Sequence, residues 1–168
     1  MAQRAGVVVG YVPDIFIRGK DDEVIALVEV KNPRLLTHDI ARALYRDIVD
    51  RMTAHAPYFL LLSQQRGYLW ERSGRSGGAL MPTVEFPMGP VMTRYAPTLH
   101  HGERLRGREL DYVVLQWLVD LATGSSDNRD GVGEPDTVLA DAGFLAAIRD
   151  ASVTFGRGDS APRDVAAW

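Results

Sequence analysis

Apolar and polar positions divide the chain into strand-like and helix-like segments. Short apolar runs bounded by turn residues predict strands at Ile15–Arg18, Val24–Lys31, Tyr58–Leu62 and Tyr68–Glu71, after an earlier apolar run at Val7–Val12. The strands on either side of the polar GKDD turn are predicted to form a hairpin, because the glycine of that turn can adopt a positive φ.

Helical spacing of apolar residues follows the hairpin and returns in the second half of the chain. It predicts helices from His38 to about His55, from Arg108 to Thr123, and from Asp136 to about Asp150. The stretch Leu80–Leu99 contains four prolines and is expected to be extended or irregular. Together these elements predict an α/β fold with a mixed sheet of about four strands, one crossing helix and two C-terminal helices.

Length and composition are those of one folded domain. The chain has 168 residues, 46% of them hydrophobic, and we assign residues 1–155 to a single domain and 156–168 to a C-terminal tail. Because cysteine, a signal peptide and an apolar run of membrane-spanning length are all absent, we expect a cytoplasmic protein without membrane contact. The net charge of −3 excludes a strongly basic nucleic-acid binder, so contacts with phosphate must come from a local patch.

Three ionisable residues interrupt the otherwise apolar hairpin. Glu29 and Lys31 share one face of their strand because side chains alternate with period two, and Asp14 can lie near them on the neighbouring strand. If Asp14 and Glu29 meet, their carboxylates form an oxygen-rich site that suits Mg²⁺ or Mn²⁺. An unrelated α/β binding protein would instead keep Asp14 and Glu29 far apart.

The use of lysine supports a chemical role for Lys31. Of the 19 basic residues, only Lys20 and Lys31 are lysine, and the others are arginine. Lysine is a compact charge that can lose its proton, whereas arginine keeps its charge. The alternative interpretation is a structural ion pair between Glu29 and Lys31.

These residues carry a family resemblance. Pro13-Asp14, a gap of fourteen residues and Glu29-Val30-Lys31 resemble the signature of the PD-(D/E)XK nucleases, the restriction-endonuclease-like superfamily. The resemblance implies that Asp14 and Glu29 bind Mg²⁺ or Mn²⁺ with the Val30 carbonyl, and that Lys31 serves the attacking water. It also implies a restriction-endonuclease-like mixed sheet flanked by helices, with a helix and a strand after the Glu-x-Lys segment, although this chain has no room for the full N-terminal core helix.

The leading prediction is therefore a metal-dependent nuclease that hydrolyses phosphodiester bonds. DNA is the expected substrate, and restriction, defence or repair is the expected setting. A homodimer is expected because both strands of a duplex must be cut. The alternative is a module of the same fold whose metal site is incomplete and which serves DNA binding or subunit assembly.

An arginine-rich stretch is the candidate nucleic-acid surface. Between Arg66 and Arg108 the chain has seven arginines against three glutamates, and arginine suits bidentate contacts with phosphate. The candidate contact residues are Gln64 and Arg66, in the turn after the strand Tyr58–Leu62 where ligands gather at strand ends, and Arg72 and Arg75 in the loop that follows. A solvated loop without a nucleic-acid role is the alternative for this stretch.

Overall fold

The structure, a computed structural model, describes residues 12–33, 36–51, 56–72, 81–100, 103–106, 108–124 and 134–156. The predicted strand at Val7–Val12 lies outside these residues except for Val12. The end of the first predicted helix, after Arg51, also lies outside them, as does Arg75.

A mixed sheet runs through the described residues. Its six strands are β1 (Ile15–Arg18), β2 (Val24–Val30), β3 (Tyr58–Leu62), β4 (Arg66–Glu71), β5 (Val84–Pro87) and β6 (Ser152–Phe155). Their order across the sheet is β5-β4-β3-β2-β1-β6. Strands β2 and β3 pair in parallel, whereas the four other neighbouring pairs are antiparallel.

Helices cover both faces of this sheet. They are α1 (His38–Arg51), α2 (Gly89–Tyr95), α3 (Glu109–Thr123), α4 (Asp136–Asp141) and α5 (Phe144–Ala147). Helix α1 connects β2 to β3, because parallel neighbours need a crossover that returns the chain to the same end of the sheet. No helix in the described part of the chain has the length and apolar character needed to cross a membrane.

Each face of the sheet has its own apolar core. On one face, Tyr45 of α1 packs on Phe59 and Trp70, and its ring stacks on that of Trp70 with 4.2 Å between centroids. On the other face, residues of helices α2 to α5 form the core, in which Trp117 of α3 is fully buried. Because β2 and β3 run in parallel, their carboxyl ends lie at the same edge of the sheet. The polar residues of the hairpin lie at this edge.

The α/β class and the predicted hairpin are confirmed, although the positive φ in the turn belongs to Asp22 (63°) and not to the glycine. The proline-rich stretch contains a strand and a helix that were not predicted. Strand β5 and helix α2 occupy most of it, where we expected extended or irregular chain. Pro87 ends β5, and Pro90 lies in the first turn of α2, where the missing N–H group would have no helical partner in any case. Prolines at the boundaries of elements are therefore compatible with regular structure between them.

The C-terminal part of the sheet was also not predicted. The expected single helix after Asp136 is divided into α4 and α5 at Gly143, which has a φ of 83°. Strand β6 follows, and its residues are exposed or half-buried in alternation rather than fully buried. Such a short edge strand lacks the apolar run by which β2 and β3 were recognised.

We expect replacement of Trp70 by alanine to lower the free energy of unfolding by about 3–5 kcal/mol, since it removes a fully packed aromatic ring. Urea denaturation measures this change. Met81→Ala is the control, because Met81 is 53% exposed and its truncation should cost no more than about 0.5 kcal/mol. Equal effects of the two changes would contradict the packing described for the α1 face.

Candidate metal and phosphodiester site

The residues before β1 fix the position of the Asp14 carboxylate. Ile15 pairs with Val28, so Asp14 lies opposite Glu29 on the face covered by α1. Asp14 is 9% exposed, and its Oδ2 accepts a hydrogen bond of 2.8 Å from the Val30 backbone N–H. The two carboxylates are therefore neighbours, and the arrangement expected of an unrelated protein, with Asp14 and Glu29 far apart, is not found.

The hydrogen bond from Val30 lies just beyond the ladder of β1 and β2. The last backbone pair at this end is Ile15 with Val28, two residues from Pro13 and Val30. Proline has no N–H group, so the ladder offers no donor to the Val30 carbonyl at this point. In a strand, the N–H and C=O groups of one residue point toward the same neighbouring strand. The Val30 carbonyl thus points to the side on which Asp14 lies.

Glu29 and Lys31 complete the group at the end of β2. Their alternation places both side chains on the same face, and Lys31 Nζ lies 3.5 Å from Glu29 Oε1. The Glu29 side chain is 4% exposed and that of Lys31 is 23% exposed. The backbone N–H of Lys31 donates to the Leu62 carbonyl of β3, which extends the parallel pairing past Val30. Two carboxylates and one ammonium group are thus held on a rigid, buried strand end.

Strand β6 lies beside β1 on the side opposite β2, and the residue after it contacts the backbone of Asp14. The N–H of Gly156 donates to the Asp14 carbonyl at 2.8 Å, directly after β6. A Cβ atom on Gly156 would overlap the Pro13 carbonyl oxygen, so the two backbones approach each other as closely as glycine allows. Sequence analysis placed Gly156 at the start of the tail and missed this contact, since nothing in the local pattern indicates pairing with β1.

The same row of residues continues across the sheet to two further ionisable groups that sequence analysis missed. Leu61 lies beside Glu29, Tyr68 lies beside Leu61, and Glu85 of β5 lies beside Tyr68. Glu85 Oε2 is 2.8 Å from His38 Nε2, at the first residue of α1. The alternation of β5 would have indicated the face of Glu85 if that strand had been recognised.

Gln64 occupies a network that joins the turn after β3 to the segment before α3. Its Oε1 accepts from the Asn32 side-chain amide at 3.3 Å and from the Leu105 N–H at 2.9 Å, while its Nε2 donates to the Glu103 carbonyl at 2.6 Å. Gln64 therefore has a structural role at the end of β2. Its predicted contact with nucleic acid stays a prediction.

The predicted arginine contacts lie in different surroundings. Arg66 is half-exposed, and its Nη1 lies 3.4 Å from Glu85 Oε2. The Arg72 side chain forms a hydrogen bond with the Tyr45 hydroxyl; burial raises the pKa of the Tyr45 phenol, and the charge of Arg72 partly offsets this rise. Arg75 lies outside the described residues. Arg66 thus shares the end of the sheet with Lys31, whereas Arg72 lies beyond the end of β4, at the opposite end of the sheet.

The donor atoms fit a magnesium or manganese ion. No group of three or more His, Cys, Asp or Glu side chains that could hold a metal occurs among the residues that the structure describes. Asp14 and Glu29 supply two carboxylates, and the Val30 carbonyl points to the same side. Mg²⁺ commonly binds through one or two carboxylates and keeps water and substrate phosphate oxygens as its remaining ligands. Two carboxylates and a backbone carbonyl are oxygen donors of the kind that this ion prefers.

In comparisons with known proteins, no family model, curated protein or solved structure matches this chain.

We expect Gly156→Ala to disturb the backbone at Pro13 and Asp14, because the added methyl group meets a backbone oxygen that cannot move aside cheaply. The free energy of unfolding should fall by about 1–3 kcal/mol, as is typical of overpacking. Hydrogen exchange at the Val30 amide should become faster, since that amide donates to Asp14. Gly89→Ala is the matched control, because a Cβ atom there meets no atom within 4 Å. Unchanged exchange at Val30 in Gly156→Ala would show that Asp14 does not depend on β6.

Proposed function

We propose that this protein is a metal-dependent nuclease that hydrolyses phosphodiester bonds, with DNA as the leading substrate. The observation that carries the proposal is the convergence of Asp14, Glu29 and Lys31 at one end of the sheet. Burying a carboxylate is unfavourable unless a cation or hydrogen-bond donors compensate it. Two carboxylates and an ammonium group that converge on one strand end are the side chains that a metal-dependent phosphodiester hydrolysis needs.

Each residue of this group has a distinct role in the proposed reaction. Asp14, Glu29 and the Val30 carbonyl would hold Mg²⁺ or Mn²⁺. When bound, the ion would polarise a phosphoryl oxygen and lower the pKa of a water molecule. Lys31 donates hydrogen bonds to the attacking water or to the phosphate oxygens on which negative charge develops. Water adds to phosphorus and loses a proton to solvent, while the bond to the leaving sugar oxygen breaks and that oxygen is protonated.

The connection of the elements supports the restriction-endonuclease-like assignment. The resemblance of the motif implies a helix and then a strand after Glu29-Val30-Lys31, and α1 and β3 follow in that order. The strand that returns pairs in parallel with β2, the strand that bears Glu29. We extend the proposal to a restriction, defence or repair setting and to a homodimer, in which each copy would cut one strand.

We assign the first phosphate contact outside the metal site to Arg66. Its side chain is half-exposed, and β4 begins beside the end of β3, which in turn lies beside the end of β2. A phosphate group could compete with Glu85 for the Arg66 guanidinium, because arginine suits bidentate contacts with phosphate.

The contacts of Asp14, Glu29 and Lys31 within the protein favour a second candidate function. Asp14 accepts from the Val30 amide, and Glu29 lies beside Lys31, so the group is compatible with a purely structural role. The protein would then be a module of the same fold with an incomplete metal site, used for DNA binding or subunit assembly.

Calorimetric titration of Mn²⁺, followed by incubation with plasmid DNA and Mg²⁺, distinguishes the two functions. Asp14→Asn and Glu29→Gln should lose metal binding and cleavage, while the Asn side chain can still accept from the Val30 amide. Lys31→Ala should bind Mn²⁺ but cleave DNA about 10²–10³-fold more slowly, the usual effect of removing one group that stabilises developing charge.

Matched controls are available in the turn of the hairpin. Lys20→Ala and Asp21→Asn change the same residue types at exposed positions and should leave both metal binding and cleavage unaltered. Wild-type protein that binds no Mn²⁺ would exclude the nuclease and favour the assembly module. Metal binding without cleavage of DNA would exclude DNA as the substrate and direct the assay to RNA.

A further inference from the structure

A cavity of about 740 Å³ opens at the same end of the sheet as the proposed metal site. Asn32 forms part of its wall and directly follows Lys31, so the Cα atoms of these two residues are only about 3.8 Å apart. Successive side chains of an extended segment point to opposite sides. The cavity therefore begins on the side of the sheet edge that faces α2, while Lys31 is on the side that faces α1.

Hydrogen bonds hold the wall of the cavity in place. The Gln64 side chain binds backbone atoms of Glu103 and Leu105, and Arg104 donates to the Asn32 carbonyl. These contacts tie the segment before α3 to the ends of β2 and β3. The cavity is thus formed by the fold itself rather than by a chance arrangement of surface side chains.

The lining combines apolar surface with hydrogen-bonding groups. Met92, Pro97 and Leu99 provide apolar surface, whereas Thr93 and His100 are exposed and offer polar atoms. Among the described residues of the lining, Arg104 is the only arginine or lysine, and it is accompanied by the carboxylate of Glu103. This near-neutral lining is poorly suited to an isolated phosphate group. It suits a ligand with flat apolar faces and hydrogen-bonding edges, which is the character of a nucleobase.

We propose that this cavity binds one unpaired nucleobase of the nucleic-acid strand whose phosphodiester lies at Asp14, Glu29 and Lys31. The inference rests on the proposed function, because that function places a nucleic-acid strand at the neighbouring edge of the sheet. The volume of the cavity is within the range of about 300–1,000 Å³ typical of ligand pockets, and the cavity accommodates a base with its sugar. The pocket would select substrates that present an extruded or single-stranded base beside the scissile bond.

Fluorescence anisotropy with a labelled 12-nucleotide single-stranded DNA, measured without divalent metal, tests this pocket separately from cleavage. In a set of such strands, each strand carries a single abasic site, and its position differs from one strand to the next. We expect one abasic position to weaken binding about 10-fold, in line with the usual contribution of one stacked base. Abasic sites elsewhere should change the affinity less than about twofold.

Variants of the lining connect this effect to the cavity. Thr93→Trp fills the cavity and should weaken binding of the intact strand about 10-fold while removing the sensitivity to the abasic position. Ala140→Trp, at an exposed position of α4 outside the lining, should behave like wild type. Because the larger Thr93 side chain can disturb folding, His100→Ala serves as a second variant and should reduce the difference between the intact and abasic strands.

Three results would overturn the proposal. They are an affinity that is equally insensitive to all abasic positions, an abasic effect that persists in Thr93→Trp, and competition by free deoxynucleoside monophosphates as strong as that by the oligonucleotide. The last result would assign the cavity to free nucleotides. These measurements need neither a metal ion nor a catalytic role of Lys31, so they remain informative if the protein cleaves no DNA. A negative result for base binding in the cavity leaves the cleavage test unaffected.

Discussion

The hydrogen bond from the Val30 amide to Asp14 is the interaction on which the proposed site depends. Ladder pairing between β1 and β2 begins at Ile15 and Val28, and beyond it the Val30 amide donates to the Asp14 side chain instead of to a backbone carbonyl. This hydrogen bond holds the carboxylate beside Glu29, and Pro13, which has no N–H group, cannot donate to the Val30 carbonyl. A local interruption of sheet pairing thereby brings several oxygen atoms together at a rigid strand end, where little conformational entropy remains to be lost on binding a cation.

The two faces of the sheet carry different groups around this strand end. The α1 face carries the charged group and, along the same row, Tyr68 and Glu85. The opposite face carries the cavity, whose wall is tied to Asn32 through Gln64 and Arg104. A strand of nucleic acid that crosses the sheet edge would therefore meet charge on one side and a mixed apolar and polar surface on the other. Lys31 and a metal ion held by the carboxylates would attract the phosphate backbone, and the mixed surface suits a base.

Local patterns predicted the hairpin, α1, β3 and the three charged residues because those features depend on periods of two and 3.6 within a short stretch. They did not predict β5, α2 or β6. Prolines at element boundaries obscured β5 and α2, and β6 has no continuous apolar run since it is a short edge strand. The role of Gly156 was equally hidden, because its close approach to Pro13 arises from pairing between segments about 140 residues apart in sequence. Gln64 was singled out for its position in a turn, but only the fold shows that its amide binds the segment before α3.

The adjacency of β1 and β6 also has a consequence for the order of events during synthesis. β1 is the first strand of the described residues to leave the ribosome and β6 is the last, yet Asp14 receives a backbone hydrogen bond from Gly156. A chain that ends before Gly156 lacks this hydrogen bond, and one that ends before Ser152 also lacks the pairing of β1 with β6. Such chains would carry the motif without its finished geometry, so the proposed hydrolytic activity would require synthesis at least through Gly156.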